Sequence, residues 1–127
     1  MLIELQAKEN WKLNDFKKLN LLIDNDKNTF VPKEYFQGDN VESYLDLLYM
    51  NVMPHVYTDE LTSSNIINVY SSKDNITALL SQFTERFNVY HSSTILIEKL
   101  VEDYSERNPE IRAFVNVKKN TYELTII

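Results

Sequence analysis

The stretch Ile111-Arg112-Ala113-Phe114-Val115-Asn116-Val117-Lys118-Lys119-Asn120-Thr121-Tyr122-Glu123-Leu124-Thr125-Ile126-Ile127 decides the fold class. Side chains alternate across a strand, so residues two apart share a face. Ile111, Ala113, Val115 and Val117 fall on one side, and Arg112, Phe114 and Asn116 on the other. The alternation resumes with Tyr122, Leu124 and Ile126 against Thr121, Glu123 and Thr125. A two-residue turn at Lys119-Asn120 sets Val117 opposite Tyr122, Val115 opposite Leu124 and Ala113 opposite Ile126. A slip of one residue would scatter the apolar set over both faces, so pattern and turn length specify one register. The apolar face is expected to join the core, and Val115→Asp is then expected to unfold the domain.

Working outward, the rest of the chain alternates polar breaks with helical spacing, which predicts an α+β domain. About four helices pack on a small, mainly antiparallel sheet that includes the C-terminal hairpin. Met1 to Gln6 reads as a short strand and Trp11 as a core or edge anchor. Leu13 to Ile23 reads as a helix through Phe16, Leu19 and Ile23, with Asn14 or Asp15 as its cap. A second helix starts at Asp39, with Glu42 three residues on as a capping box. It carries Val41, Tyr44, Leu45, Leu48 and Val52 to a stop at Pro54. Asn65 to Tyr70 fits a strand. A third helix from Asp74 carries Ile76, Leu79, Leu80, Phe83 and Phe87. A fourth runs from Ser93 to Arg107 with Ile97, Leu100, Val101 and Tyr104 as its stripe, and Ser92, Ser93 or Thr94 as its cap. Tyr35…Asp39-Asn40-Val41 and Tyr70…Asp74-Asn75-Ile76 echo each other at thirty-five residues, but no third unit follows.

The 127 residues make one domain, and 43% hydrophobic content suffices for a core. Cysteine is absent, which excludes disulfides, a thiol nucleophile and thiolate metal sites. No cationic leader and no run of about 20 apolar residues appears, so a cytoplasmic location is expected. The net charge of −6 argues against tracking a phosphate backbone. Gly38 is the single glycine. Phosphate-cradling loops, dinucleotide fingerprints and nucleophile elbows need several, because backbone must approach the ligand or take positive φ. Asn is expected to fill positive-φ turns instead.

The motifs carry little chemistry. Asp24, Asp26 and Asn28 stand at the first, third and fifth positions of a twelve-residue stretch that resembles the calcium loop of an EF-hand. The likeness implies an oxygen-lined cation site. Thr29 stands where that loop needs Gly and Tyr35 where it needs a bidentate Glu, so no metal and no cofactor are expected. His55 and His91 have no partner at metal-like spacing, and each reads as an exposed or hydrogen-bonded histidine. His91 beside Ser92, Ser93 and Thr94 raises nucleophile chemistry, but helix capping explains the hydroxyls. Glu98, Glu102 and Glu106 recur every four residues and line one helix face.

Eight tyrosines stand out. Tyr44, Tyr104 and Tyr122 fall on core stripes. Tyr49, Met50, Met53 and Tyr57 form a candidate contact patch, since Tyr offers large contact area at low entropic cost. With the acidic stripe Glu98, Glu102 and Glu106, this points to a non-enzymatic acidic module. It would occupy a basic surface on a protein partner, as inhibitors, antitoxins or immunity proteins of phage or mobile-element origin do. Direct nucleic-acid or membrane binding is not expected, while self-association is compatible. The alternatives are an assembly subunit of a phage particle or similar machine, with terminal strands adding to a neighbour's sheet, and an enzyme of unrecognised type.

Overall fold

The computed structural model describes residues 15–51, 53–104 and 110–127. The expected Met1–Gln6 strand, Trp11, the cap candidate Asn14, Val52, Glu106 and Arg107, the expected end of the fourth helix, lie outside those residues. Seven strands and three α-helices alternate along the described chain. β1 (Leu19–Ile23) pairs in parallel with β5 (Phe87–His91). β2 (Asn28–Pro32), β4 (Ile66–Ser72) and β3 (His55–Leu61) form an antiparallel sheet in that spatial order. β6 (Ala113–Val117) and β7 (Tyr122–Ile126) form the C-terminal hairpin. The helices are α1 (Glu42–Asp46), α2 (Ile76–Ser81) and α3 (Ser92–Tyr104).

β4 is the spine. It lies between β2 and β3 and is buried along nearly its whole length. Its alternation sorts two different interiors. Ile67 and Val69 face an apolar cluster with Val31 and the fully buried Leu45 of α1, ringed by Phe36, Val41, Tyr44, Tyr49 and Val56. Asn68 and Tyr70 face the other way, toward α3 and β5, where the interior is polar. The β3–β4 turn closes on Asn65 at φ 56°, the one positive φ among the described residues. Asn takes that conformation at low cost because its short side chain bonds locally. Asn120 does not adopt it.

The architecture corrects several expectations. Leu19–Ile23 is a strand, because Leu-Asn-Leu-Leu-Ile fits both periods and the parallel partner β5 settles which one is used. The expected third helix reaches Phe87, whereas the observed one ends at Ser81 and Phe87 opens β5. That helix starts at Ile76 rather than Asp74, capped by the Asn75 side chain accepting from the Ala78 N–H. The expected second helix shrinks to α1 behind a 3₁₀ turn (Gly38–Asn40), and no side chain caps it. So three α-helices, not four, occupy the described residues, and they pack on three small sheets, one of them parallel. The strand expected over Asn65 to Tyr70 is present as Ile66–Ser72, with Asn65 in the turn before it. The echo at thirty-five residues joins unlike places, since Tyr35 lies exposed in a 3₁₀ turn and Tyr70 is buried in β4.

The hairpin has the register read from the sequence: Val117 faces Tyr122, Val115 faces Leu124 and Ala113 faces Ile126. Lys118 N–H donates to the Thr121 carbonyl, closing the turn over Lys119-Asn120. The face is the reverse of the expected one. Val115 (61% exposed), Val117 (78%), Tyr122 (74%), Leu124 (58%) and Ile126 (64%) all look outward. The face carrying Phe114, Asn116, Glu123 and Thr125 packs inward instead. Phe114 tilts against Tyr104 of α3 at 4.9 Å between ring centroids, and Arg112 lies over the same Tyr104 ring. Tyr122 is therefore not a core residue, and Val115 does not reach the core.

Candidate functional site

Two features compete for function: a buried polar network and the open hairpin face. The network centres on Asp59. Alternation along β3 places Tyr57 and Asp59 opposite Tyr70 and Asn68 on the side that meets α3. Asp59 Oδ1 accepts from the Tyr70 hydroxyl at 2.8 Å, and Oδ2 accepts from the His91 backbone N–H at 2.7 Å and the Thr94 hydroxyl at 2.8 Å. Thr94 Oγ1 accepts from Asn68 Nδ2 at 2.9 Å, and Asn68 Oδ1 from Asn28 Nδ2 at 3.1 Å. Buried polar groups need hydrogen-bond partners, and both carboxylate oxygens of Asp59 have them. One acid thus ties β3, β4, β5 and α3 together. Burial, and then the carboxylate of Asp59, push the Tyr70 hydroxyl far above its ordinary range, so it remains a donor.

His91 is fully buried at the β5–α3 junction. Nδ1 accepts from the Ser93 N–H at 3.2 Å, so the ring proton sits on Nε2 and points to the Asn25 carbonyl at 3.1 Å. The imidazole therefore caps α3, a part assigned in the sequence to Ser92, Ser93 or Thr94. Those three hydroxyls bond Asp24, Glu123 and Asp59 instead. Burial pulls the His91 pKa below its ordinary value and holds the ring neutral. Both ring nitrogens are engaged with backbone, and Asp59 bonds the main chain of His91 rather than its ring. No base–nucleophile relay is assembled here.

A charged latch joins this body to the hairpin. Lys118 Nζ bonds Asp24 in the β1–β2 loop and Glu123 of β7, the latter at 2.9 Å. Glu123 also accepts from the Ser93 hydroxyl at 3.0 Å and Asn116 Nδ2 at 3.1 Å. Burial alone would lower the Lys118 pKa, but its bonds to the two carboxylates raise it. The Lys118 bond holds Asp24 below its ordinary value. Burial works against Glu123, yet Lys118, Asn116 and Ser93 together hold it low as well. Beside the latch, an open cleft of about 370 Å³ runs between β2, α3 and β7, with Phe30, Leu96, Ile97, Leu124 and Ile126 along its walls.

The stretch that resembles a calcium loop is built otherwise. β1, not a helix, precedes it; Asp24 is bound by Lys118 and Ser92, and Asn28 opens β2. Among the described residues, no three His, Asp or Glu side chains converge as metal ligands.

The candidate contact residues are dispersed in their roles. Tyr49 donates to the carbonyls of Asp26 and Asn28 and carries Lys27 over its ring. Tyr57 stacks on Tyr70, and its hydroxyl accepts from the Ile76 N–H. Met50 is fully exposed and Met53 half-buried. Glu98 accepts from the backbone and hydroxyl of Ser63, and Glu102 sits near Lys99, while Glu106 lies outside the described residues. Asp59, Tyr70 and Thr94 are not brought together by the sequence alone: Thr94 reads there as a helix cap and Tyr70 as half of an echo. The available signal was Asn68 and Tyr70 inside the apolar run Ile66-Ile67-Asn68-Val69-Tyr70, two polar groups that need inward partners once the strand is central.

Set against solved structures, the chain has the fold of a Bacteroides thetaiotaomicron VPI-5482 protein described as having an actin-like ATPase fold and unknown function. The TM-score is 0.77 at 22% identity, over 88% of this chain and 44% of that one. The chain thus spans less than half the length of that structure. It belongs to the family described as protein of unknown function (DUF3822), matched over residues 2–127. No curated protein matches. No helix among the described residues is long and apolar enough to cross a membrane.

Proposed function

We propose that this domain is a non-catalytic protein-docking module whose contact surface is the outward apolar face of the β6–β7 hairpin. The observation that carries this reading is the inversion of that hairpin. Its polar face is latched to the body through Lys118, Glu123 and Ser93, while Val115, Val117, Tyr122, Leu124 and Ile126 stand in solvent. Monomeric proteins rarely leave a contiguous apolar patch larger than a few hundred Å² uncovered unless it binds something. The polar network supports the same reading from the other side. Asp59 and His91 are satisfied by internal partners, so neither is a free acid or base aimed into a pocket. The single glycine leaves no loop of the phosphate-cradling kind, despite the ATPase fold of the solved neighbour.

The test places a photoreactive amino acid at Val115 in the full chain, expressed in cells, with a second variant carrying it at Glu42 on the exposed side of α1. Docking predicts adducts from position 115 that Leu124→Lys abolishes and that position 42 does not form. Absence of any adduct from 115, or ATP turnover by the purified chain, would overturn the reading.

A further inference from the structure

We infer that the partner on this face is a second copy of the chain, packed hairpin to hairpin about a two-fold axis. The inference rests on the docking reading above and names its occupant. Three observations on the face argue for it.

The first is area. Ile111, Val115, Val117, Tyr122, Leu124 and Ile126 are all more than half exposed. Together they offer on the order of 700 Å², close to the roughly 800 Å² that each partner contributes to a standard stable interface. Two such faces meet as a small sandwich, with sheets about 10 Å apart. The second is composition. The face carries no carboxylate and no cation, so its self-association strands no charge away from water, although the whole chain has a net charge of −6. An isologous contact needs a surface that complements itself, and an all-apolar strand face meets that condition.

The third is the charge at its two ends. Lys119 sits exposed in the turn, and Glu110 sits exposed at the open end, just before Ile111. An axis perpendicular to the strands sets the turn of one copy over the open end of the other, so that each Lys119 approaches the partner copy's Glu110. An axis along the strands would bring the two turns, with their lysines, together. Charge selects the first arrangement.

The experiment uses the full chain in sedimentation velocity over a wide concentration range, beside the photo-cross-linking at position 115. The expected result is a concentration-dependent shift to twice the chain mass and an adduct of two chains. Val115→Lys should weaken association by roughly 100-fold or more by burying a charge, with an unchanged circular dichroism spectrum. Leu47→Lys, on a separate exposed apolar residue, should leave it intact. Lys119→Glu and Glu110→Lys should each weaken association, and the double reversal should restore it.

A chain that stays monomeric at all concentrations, or a dimer indifferent to Val115→Lys, overturns the inference. If the monomeric chain still forms an adduct with a different protein at position 115, the second copy is refuted and the docking reading stands. If it forms none, both fail.

Discussion

Replacing Asp59 by alanine removes the acceptor on which four elements of the fold converge. Three donors lose their partner at once: the Tyr70 hydroxyl, the His91 N–H and the Thr94 hydroxyl, at 2.7–2.8 Å from the carboxylate. Water cannot readily replace it, because Tyr70, His91 and Thr94 are all buried. The Tyr70 hydroxyl can turn toward the Val89 carbonyl, already 3.5 Å away, and Thr94 can rotate. The His91 N–H is fixed by the backbone. One donor fully stranded and two poorly satisfied cost about 3–5 kcal/mol, at about 1–3 kcal/mol for a buried unsatisfied group. For a domain of this size that lowers the melting temperature by roughly 10–20 °C. Asp59→Asn keeps one carbonyl oxygen for the His91 N–H and turns its NH₂ toward the Tyr70 oxygen, so it should cost only about 1–2 kcal/mol. Urea titrations of the wild type and both variants, with Tyr70→Phe and Thr94→Val closing double-mutant cycles, measure the couplings. An alanine variant within about 1 kcal/mol of wild type, or no coupling to either partner, would refute the claim that this acid organises the interior.

The exposed position of Val115 predicts that Val115→Asp leaves the monomer's melting temperature at low concentration nearly unchanged, within about 1 kcal/mol of stability; an unfolded variant would put that side chain back in the core. His91 makes stability depend on pH. Its folded pKa lies below its ordinary 6.5, so the native state binds fewer protons than the unfolded state in that window. The His91 contribution is therefore complete above pH 6.5 and is lost as pH falls through the depressed folded value, while Glu123 and Asp24, also depressed, add their own loss only at lower pH. His91→Gln should flatten the upper part of the profile, and denaturation midpoints between pH 7 and 5 check it. Lys118→Met leaves Asp24 and Glu123 without their shared cation. It should cost about 1–2 kcal/mol and raise amide exchange across Ala113–Val117 and Tyr122–Ile126 before the rest of the fold.

The sequence by itself determined the hairpin, to the residue. Strand alternation has a period of two and the turn has a fixed length, so Val117 could meet only Tyr122 without scattering the apolar set. It also determined the position of α3, whose stripe is long enough to be unambiguous, and the absence of glycine-built phosphate loops. Short apolar runs were not legible. Leu19–Ile23 and Phe87–His91 fit a helix as well as a strand over five residues, and only their pairing with each other, sixty-eight residues apart, chooses. The candidate site was hidden for the same reason. Asp59 and His91 stand thirty-two residues apart and meet because β3 and β5 both pack against β4 and α3. No local spacing encodes that meeting. Tertiary structure alone also decided which way the hairpin faces. Periodicity states which residues share a side, and is silent on which side is covered. Here the Lys118–Asp24 ion pair and the Ser93–Glu123 hydrogen bond, with Phe114 against Tyr104, hold the mixed face inward and leave the apolar one exposed.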